Sequence, residues 1–488
     1  YSSTTHINRV SSSSWRVYKE GLPECIDADD VSALPSEVQF SFIKNIQFIL
    51  LNVSVLLAVF SEYVKQHWRE DAFFGYQFLN GVNPMMIRHC KSLPKNFPVT
   101  DVMVKLEGNR KLSQEIKKGN MFLCDYKDLD GVTTSHINDE EQYLAAPLVL
   151  FHKTPDDELK PVAIQLKQTP AEDNPIFVSS DSEYDWLLAK IFVRSADFNE
   201  QQLNAHLLRT HLLAEVFTVA LLRNLPKVHP LHKLLIHHTR FTLHINLNAR
   251  KSLISEDGVF TSFSAASAEG MTKLMQRSHS AVTYESLCIK DDIKERGLES
   301  VPNFYYRDDG FKLWTSSRIL TYYYKKDEEI KRDTELQEYI KSIFEHGFGS
   351  REETGELKST VDELVKFVTM VIFTCSAQHA AVNNGQADYG SWMPNTPTSL
   401  QKPPPTQKGT VTEQTVLQTL PDRNATQIAV ALGHFPDEHF TEEVPCRLMR
   451  QFCAELDKLD KEIDDKNKKR KLPYIYLKPT LMENSVSI

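Results

Sequence analysis

Three features of the 488-residue sequence predict a mainly α-helical fold. Long apolar stretches recur with helical spacing, several carry recognisable end signals, and strand-like patterning is confined to one short region. The composition, 41% hydrophobic and 25% charged, is that of a packed globular protein with ample material for a core.

Residues 1–35 are polar, Ser-rich and broken by Pro23 and Pro35, which reads as a linker or the remnant of a preceding segment. The main domain is then 36–488. A start at Tyr1, with neither Met nor an apolar signal core, reads as an excerpt of a longer chain. Residues 46–60 are apolar, but they are short for a membrane span and carry Gln47 and Asn52, so a buried or surface-docking helix is expected. Strands are expected at 146–153 and 161–166 around the turn 154–157, giving one small β-hairpin region. Helical patterns follow at 184–193, at 198–224 ending before Pro226, and at 231–254. The segment 360–383 opens on the capping box Thr360/Glu363 and closes at Gly385. Beyond the Pro-rich loop at 402–406 come a short helix near 414–420 and a long charged helix from Val444 to about residue 471.

A formal net charge of -9, with its only dense basic run at 466–471, argues against a nucleic-acid partner. That run reads as a solvated helix end. Seven scattered cysteines without a C-x-x-C pair indicate neither a disulfide framework nor a zinc ribbon, so a reducing, cytoplasmic setting is the default. No nucleophile elbow, phosphate loop, H-E-x-x-H or dinucleotide fingerprint is present.

The 198–224 helix is apolar almost all round and belongs at the centre of the protein, so anything polar on it needs a partner. His206 and His211 lie on it. Five residues turn an ideal α-helix by roughly 500°, leaving the rings about 140° apart, which cannot chelate one ion. A π-type widening would bring i and i+5 together. The spacing is therefore either two separately bonded core histidines or a metal signature. His379 and Asn383, at i and i+4, share a face of the second buried helix. Three imidazoles and one amide, with few oxygen ligands, suit iron(II). His229, His232, His237, His238, His434 and His439 lack that context and read as structural. Cys375 sits in an apolar helix interior, a poor place for a thiolate.

The motifs His206-Leu-Leu-Arg-Thr-His211, Phe373-Thr-Cys-Ser-Ala-Gln-His379-Ala-Ala-Val-Asn383, Trp186-Leu-Leu-Ala-Lys190, Phe74-Gly-Tyr-Gln-Phe-Leu-Asn-Gly81, Tyr305-Tyr-Arg-Asp-Asp-Gly310 and Asn484-Ser-Val-Ser-Ile488 stand in one chain. Together they resemble the animal lipoxygenases from about Trp15 to the last residue, with a pattern nearest the arachidonate 5-lipoxygenase type. The resemblance implies a large helical catalytic domain around two buried iron-binding helices. It implies one non-heme iron, Fe2+/Fe3+, on His206, His211, His379, weakly Asn383, and the Ile488 carboxylate, supported by Gln202 and Gln386. The iron's bound hydroxide, not a side chain, would take hydrogen from the methylene between two cis double bonds, and O2 would add from the other face. Its partners would be O2 and a polyunsaturated fatty acid, arachidonate or linoleate.

Phe198, Leu207, Leu253 and Phe263 match residues lining the fatty-acid channel, and Ala249 matches the position linked to S stereochemistry. A bulky Phe263 would shorten the pocket and favour 12- or 15-type oxygenation. Asn248 lacks the positive charge many relatives have there, which leaves the partner of the substrate carboxylate open, with Arg250 as the candidate substitute. The family's amino-terminal β-barrel, which binds calcium and membranes, is absent from these residues, so transient membrane contact is expected only within a longer chain. Trimmed stretches at 45–65, after 314 and between 423 and 435, with Asn52 in place of a plug tyrosine, support a rival reading. That rival is a lipoxygenase-like lipid-binding or scaffold protein with impaired catalysis. A hydroperoxide isomerase would share the same ligand set.

Overall fold

Two long apolar helices organise the molecule, and the computed structural model describes residues 18–19, 21–28, 30–40, 60–255, 258–314, 324–348, 359–421 and 443–486. Helix α1, Glu183–Asn224, runs 42 residues without a break. Ser182 caps it by accepting from the Asp185 N–H, and Glu183 and Asp185 supply negative charge to its first turn. The break expected between 193 and 198 is not there. Its polar residues answer one another: buried Arg194 pairs with Asp197 at 2.9 Å, and Asn83 and Tyr126 each donate to Asp197 Oδ1 at 2.8 Å. A satisfied network lets charge sit inside a buried helix where the pattern alone suggests an interruption.

The expected 231–254 helix is two. Helix α2, Pro230–Thr239, has Pro at its start and a His229 cap, and α3, Thr242–Ser252, begins after a turn at Arg240 and Phe241. Helix α4, Val361–Gly390, is capped by Thr360 as expected, through an acceptor contact with the Glu363 N–H. Both α1 and α4 are apolar enough to cross a membrane, yet 78% and 83% of their most apolar windows are buried inside protein. They are core helices. Helix α5, Glu443–Asn467, is the long charged one.

Strands β1, Tyr18–Lys19, and β2, Cys25–Ile26, form a short antiparallel ribbon. A five-stranded antiparallel sheet follows in the order β3, Arg88–His89; β4, Met121–Asp125; β5, Leu148–Lys153; β6, Leu159–Gln165; and β7, Ile176–Val178. The expected hairpin is β5/β6, with an irregularity at Leu150/Phe151, and it sits inside a larger sheet than anticipated. Helix Asp71–Asn80 lies against β6 so closely that a Cβ on Gly75 would stand 1.9 Å from the Leu159 carbonyl oxygen. That approach explains the glycine in Phe74-Gly-Tyr-Gln.

The described residues between 21 and 35 are part of the packing: Ile26 and Leu34 are buried, and the Ile26 N–H donates to Glu215 on α1. The basic run is not merely a solvated end. Lys466 and Arg470 both reach the fully buried Asp309, at 2.8 and 3.0 Å, and the Arg470 guanidinium lies 3.9 Å from the Tyr305 ring. The expectations for 46–59, including Asn52, and for the segments 315–323 and 423–435, His434, His439 and Ile488 fall outside the described residues.

Candidate metal centre

Residues Gln201–Leu212 of α1 adopt π-helical hydrogen bonding, and Thr374–Gln378 of α4 do so just before His379. The wider turn brings His206 and His211 to one side, as their i, i+5 spacing requires for a shared ligand. His206 Nε2 lies 3.1 Å from His211 Nε2 and 3.3 Å from His379 Nε2, and the third separation is 3.2 Å. Packing of α1 on α4 thus closes a triangle of imidazole nitrogens.

The triangle fits a metal ion. A neutral imidazole has one N–H, which can serve only one of three nearly equal contacts, so the remaining lone pairs face each other without a donor. A cation between them removes that repulsion. Imidazole nitrogens about 2.1 Å from a metal, on adjacent octahedral corners, lie about 3 Å apart, and open positions beside such a face suit iron(II). Burial, then the two neighbouring histidines, hold His206 well below the ordinary imidazole range, which keeps it neutral as a ligand must be.

Asn383 follows His379 by one helical turn, and its Oδ1 accepts from Gln386 Nε2 at 2.8 Å. Gln202 Nε2 donates in turn to Gln386 Oε1 at 2.7 Å, so the two glutamines expected behind the ligands form a relay from α1 to α4. The Asn383 Nδ2 is buried without a hydrogen-bond partner among the described residues. The tail reaches this neighbourhood. His238 Nδ1 lies 2.9 Å from the Asn484 carbonyl, Thr242 Oγ1 donates to the Val486 carbonyl at 3.4 Å, and Val486 is fully buried. Asn384 Nδ2, one residue past Asn383, donates to the Leu481 carbonyl at 2.9 Å.

The expected channel residues divide. Phe198 is half-buried and stacks on Phe260 at 6.1 Å, and the Phe260 N–H donates to the Leu253 carbonyl at 2.9 Å, which brings Phe198, Phe260 and Leu253 together. Leu207 is half-buried against the core and Ala249 is buried on α3. Phe263 is 36% exposed, and its neighbour Phe260, one turn earlier, makes the contact with Phe198 instead. Phe260 was missed because helix Val259–Phe263 carries aromatics at both ends of a single turn. Arg250 is not a free cation for a substrate carboxylate: its Nη2 is 2.8 Å from Oε2 of buried Glu215. A guanidinium already neutralised by a buried acid is a poor second anchor.

His229, Asp333 and Glu335 also cluster closely enough to suggest a metal. His229 Nδ1, however, accepts from the Leu231 N–H, which leaves the proton on Nε2, 3.1 Å from Asp333 Oδ2. That ring caps α2 and donates to a carboxylate, so it is structural, as its sequence context suggested. Cys375 is likewise inert, its thiol pushed far up by burial.

The lipoxygenase family model matches residues 57–474. The chain is 43% identical to a 12R-type arachidonate 12-lipoxygenase of Rattus norvegicus, over 97% of this chain and 75% of the relative. It is 45% identical to the hydroperoxide isomerase ALOXE3 of Homo sapiens, over 88% of this chain and 63% of the relative. A solved LOX structure in complex with arachidonate superposes with a TM-score of 0.87 at 31% identity, covering 96% of this chain and 78% of the other. These relatives do not support the 5-lipoxygenase subtype, and a 12R enzyme among them gives no support to S stereochemistry. The chain belongs to the lipoxygenase family, dioxygenases that carry one non-heme iron, which the three converging imidazoles fit.

Proposed function

We propose that this chain inserts O2 into polyunsaturated fatty acids such as arachidonate or linoleate. The observation that carries the reading is the convergence of His206, His211 and His379 through their Nε2 atoms at 3.1 to 3.3 Å where α1 packs on α4. These three would hold the iron, Asn383 and the Ile488 carboxylate would complete its ligands, and Gln202 and Gln386 would hold Asn383 in place. Bound there, iron supplies a one-electron oxidant for the methylene between two cis double bonds. No side-chain general base is required. Phe198, Leu207, Leu253 and Phe260 would hold the acyl chain and exclude water, the protein's share being position and protection of the radical. A LOX–arachidonate complex among the similar structures supports the substrate class.

Ala249 is the ground for proposing S products. Ala249→Gly should move oxygenation toward R, and unchanged chirality would count against that role. A second reading, isomerisation of fatty-acid hydroperoxides, is favoured by the similarity to the isomerase relative. One preparation assayed for iron, for conjugated-diene formation from arachidonate under air and for hydroperoxide consumption separates the possibilities. The dioxygenase reading expects one iron per chain and diene formation. Iron with hydroperoxide consumption but no diene would replace it by the isomerase, and absence of iron would leave a scaffold.

A further inference from the structure

Glu215 is an acid on an otherwise apolar stretch of α1, four residues after His211, and only 1% exposed. A carboxylate so buried needs partners. It has three: the Ile26 N–H on β2 at 3.0 Å, Asn246 Nδ2 at 2.8 Å and Arg250 Nη2 at 2.8 Å. Asn246 and Arg250 are themselves one helical turn apart on α3. Two facing turns are thus paired rung by rung, His211 with Asn246 and Glu215 with Arg250, and β2 closes the far end.

The amide of Asn246 cannot be reversed. Its Nδ2 donates to the His211 carbonyl at 2.8 Å and to Glu215 Oε2 at 2.8 Å, and both are acceptors only. Its Oδ1 therefore faces His211 Nδ1, 3.1 Å away, and can only accept. The proton of neutral His211 must sit on Nδ1, leaving the lone pair on Nε2, where the other two histidines converge.

We propose that Asn246, oriented by the Glu215–Arg250 pair behind it, is a positioning residue that fixes the tautomer and direction of His211 for metal binding. The proposal rests on the iron reading above. It gives Arg250 a task different from the substrate anchor expected of it: its charge neutralises Glu215, Glu215 fixes the amide, and the amide fixes the ring. Ligating imidazoles are commonly held this way by an acceptor at the other nitrogen, and loss of such a partner typically costs 10- to 100-fold in metal affinity or activity.

A merely structural staple between α1 and α3 would leave metal retention alone, so the test reads iron directly. Iron-loaded parent, Asn246→Leu and His211→Ala are each challenged with a ferrous-iron chelator, and the rate and extent of iron loss are followed. Asn246→Leu is expected to give up iron about 10- to 100-fold more readily, with a lower kcat and an unchanged KM. Asn246→Ser carries the same test if the leucine variant does not fold. Parent-like retention in the leucine or serine variant, with His211→Ala losing iron, would overturn the proposal and leave the iron site standing. A parent that binds no iron would defeat the underlying reading itself.

Discussion

His238 offers a pH-dependent test of how the carboxy-terminal tail is held. Its ring is 2% exposed and its Nδ1 faces the Asn484 carbonyl at 2.9 Å. Burial pushes its pKa from 6.5 down to about 4, partly offset by that hydrogen bond. Below 6.5 the unfolded chain takes up a proton that the folded chain refuses, so stability falls as pH falls and levels off below about 4. Linkage between the two values gives a loss of about 2 kcal/mol on going from about pH 7.5 to about pH 5, and about 3 kcal/mol at the acid limit. His238→Gln keeps an N–H for the Asn484 carbonyl without a titrating group. Urea unfolding of both proteins at the two pH values, in the same iron state, should show the parent losing about 2 kcal/mol more than the variant. Equal losses would refute the claim that a neutral His238 secures Asn484.

Further predictions concern the supports of the site. Gln386→Leu cuts the relay between Gln202 and Asn383 and should lower kcat about 10- to 100-fold, checked by steady-state kinetics with metal analysis of the same sample. Deleting Ile488 should abolish turnover, because its carboxylate is proposed to complete the iron ligands, and full oxygen uptake without it would remove that carboxylate from the account. Arg470→Met leaves the fully buried Asp309 with Lys466 alone and should destabilise the protein by about 2–3 kcal/mol. An unchanged thermal midpoint would mean that the basic run is no more than a solvated helix end.

The centre was legible in the sequence because an odd spacing had few explanations. His206 and His211 at i, i+5 on a helix apolar all round demanded either two separate partners or a π-turn, and the structure has the π-turn. The Thr360 cap marked the start of α4 in the same local way. Non-local compensation was not legible. Arg194 and Asp197 looked like an interruption because Asn83 and Tyr126, which satisfy Asp197, are more than 70 residues away. Strands β3 and β7, two and three residues long, are too short to show alternation and exist because the neighbouring strands pair with them. Arg250 was offered as the substrate's cation in place of the uncharged Asn248, although a polar Glu215 in the central helix already asked for a cation.

The most direct test of the account is anomalous X-ray scattering at the iron absorption edge from crystals of the iron-loaded protein. One strong peak is expected within about 2.2 Å of His206, His211 and His379 Nε2, a normal metal–imidazole distance. A peak elsewhere, or none in protein that retains iron in solution, would contradict it.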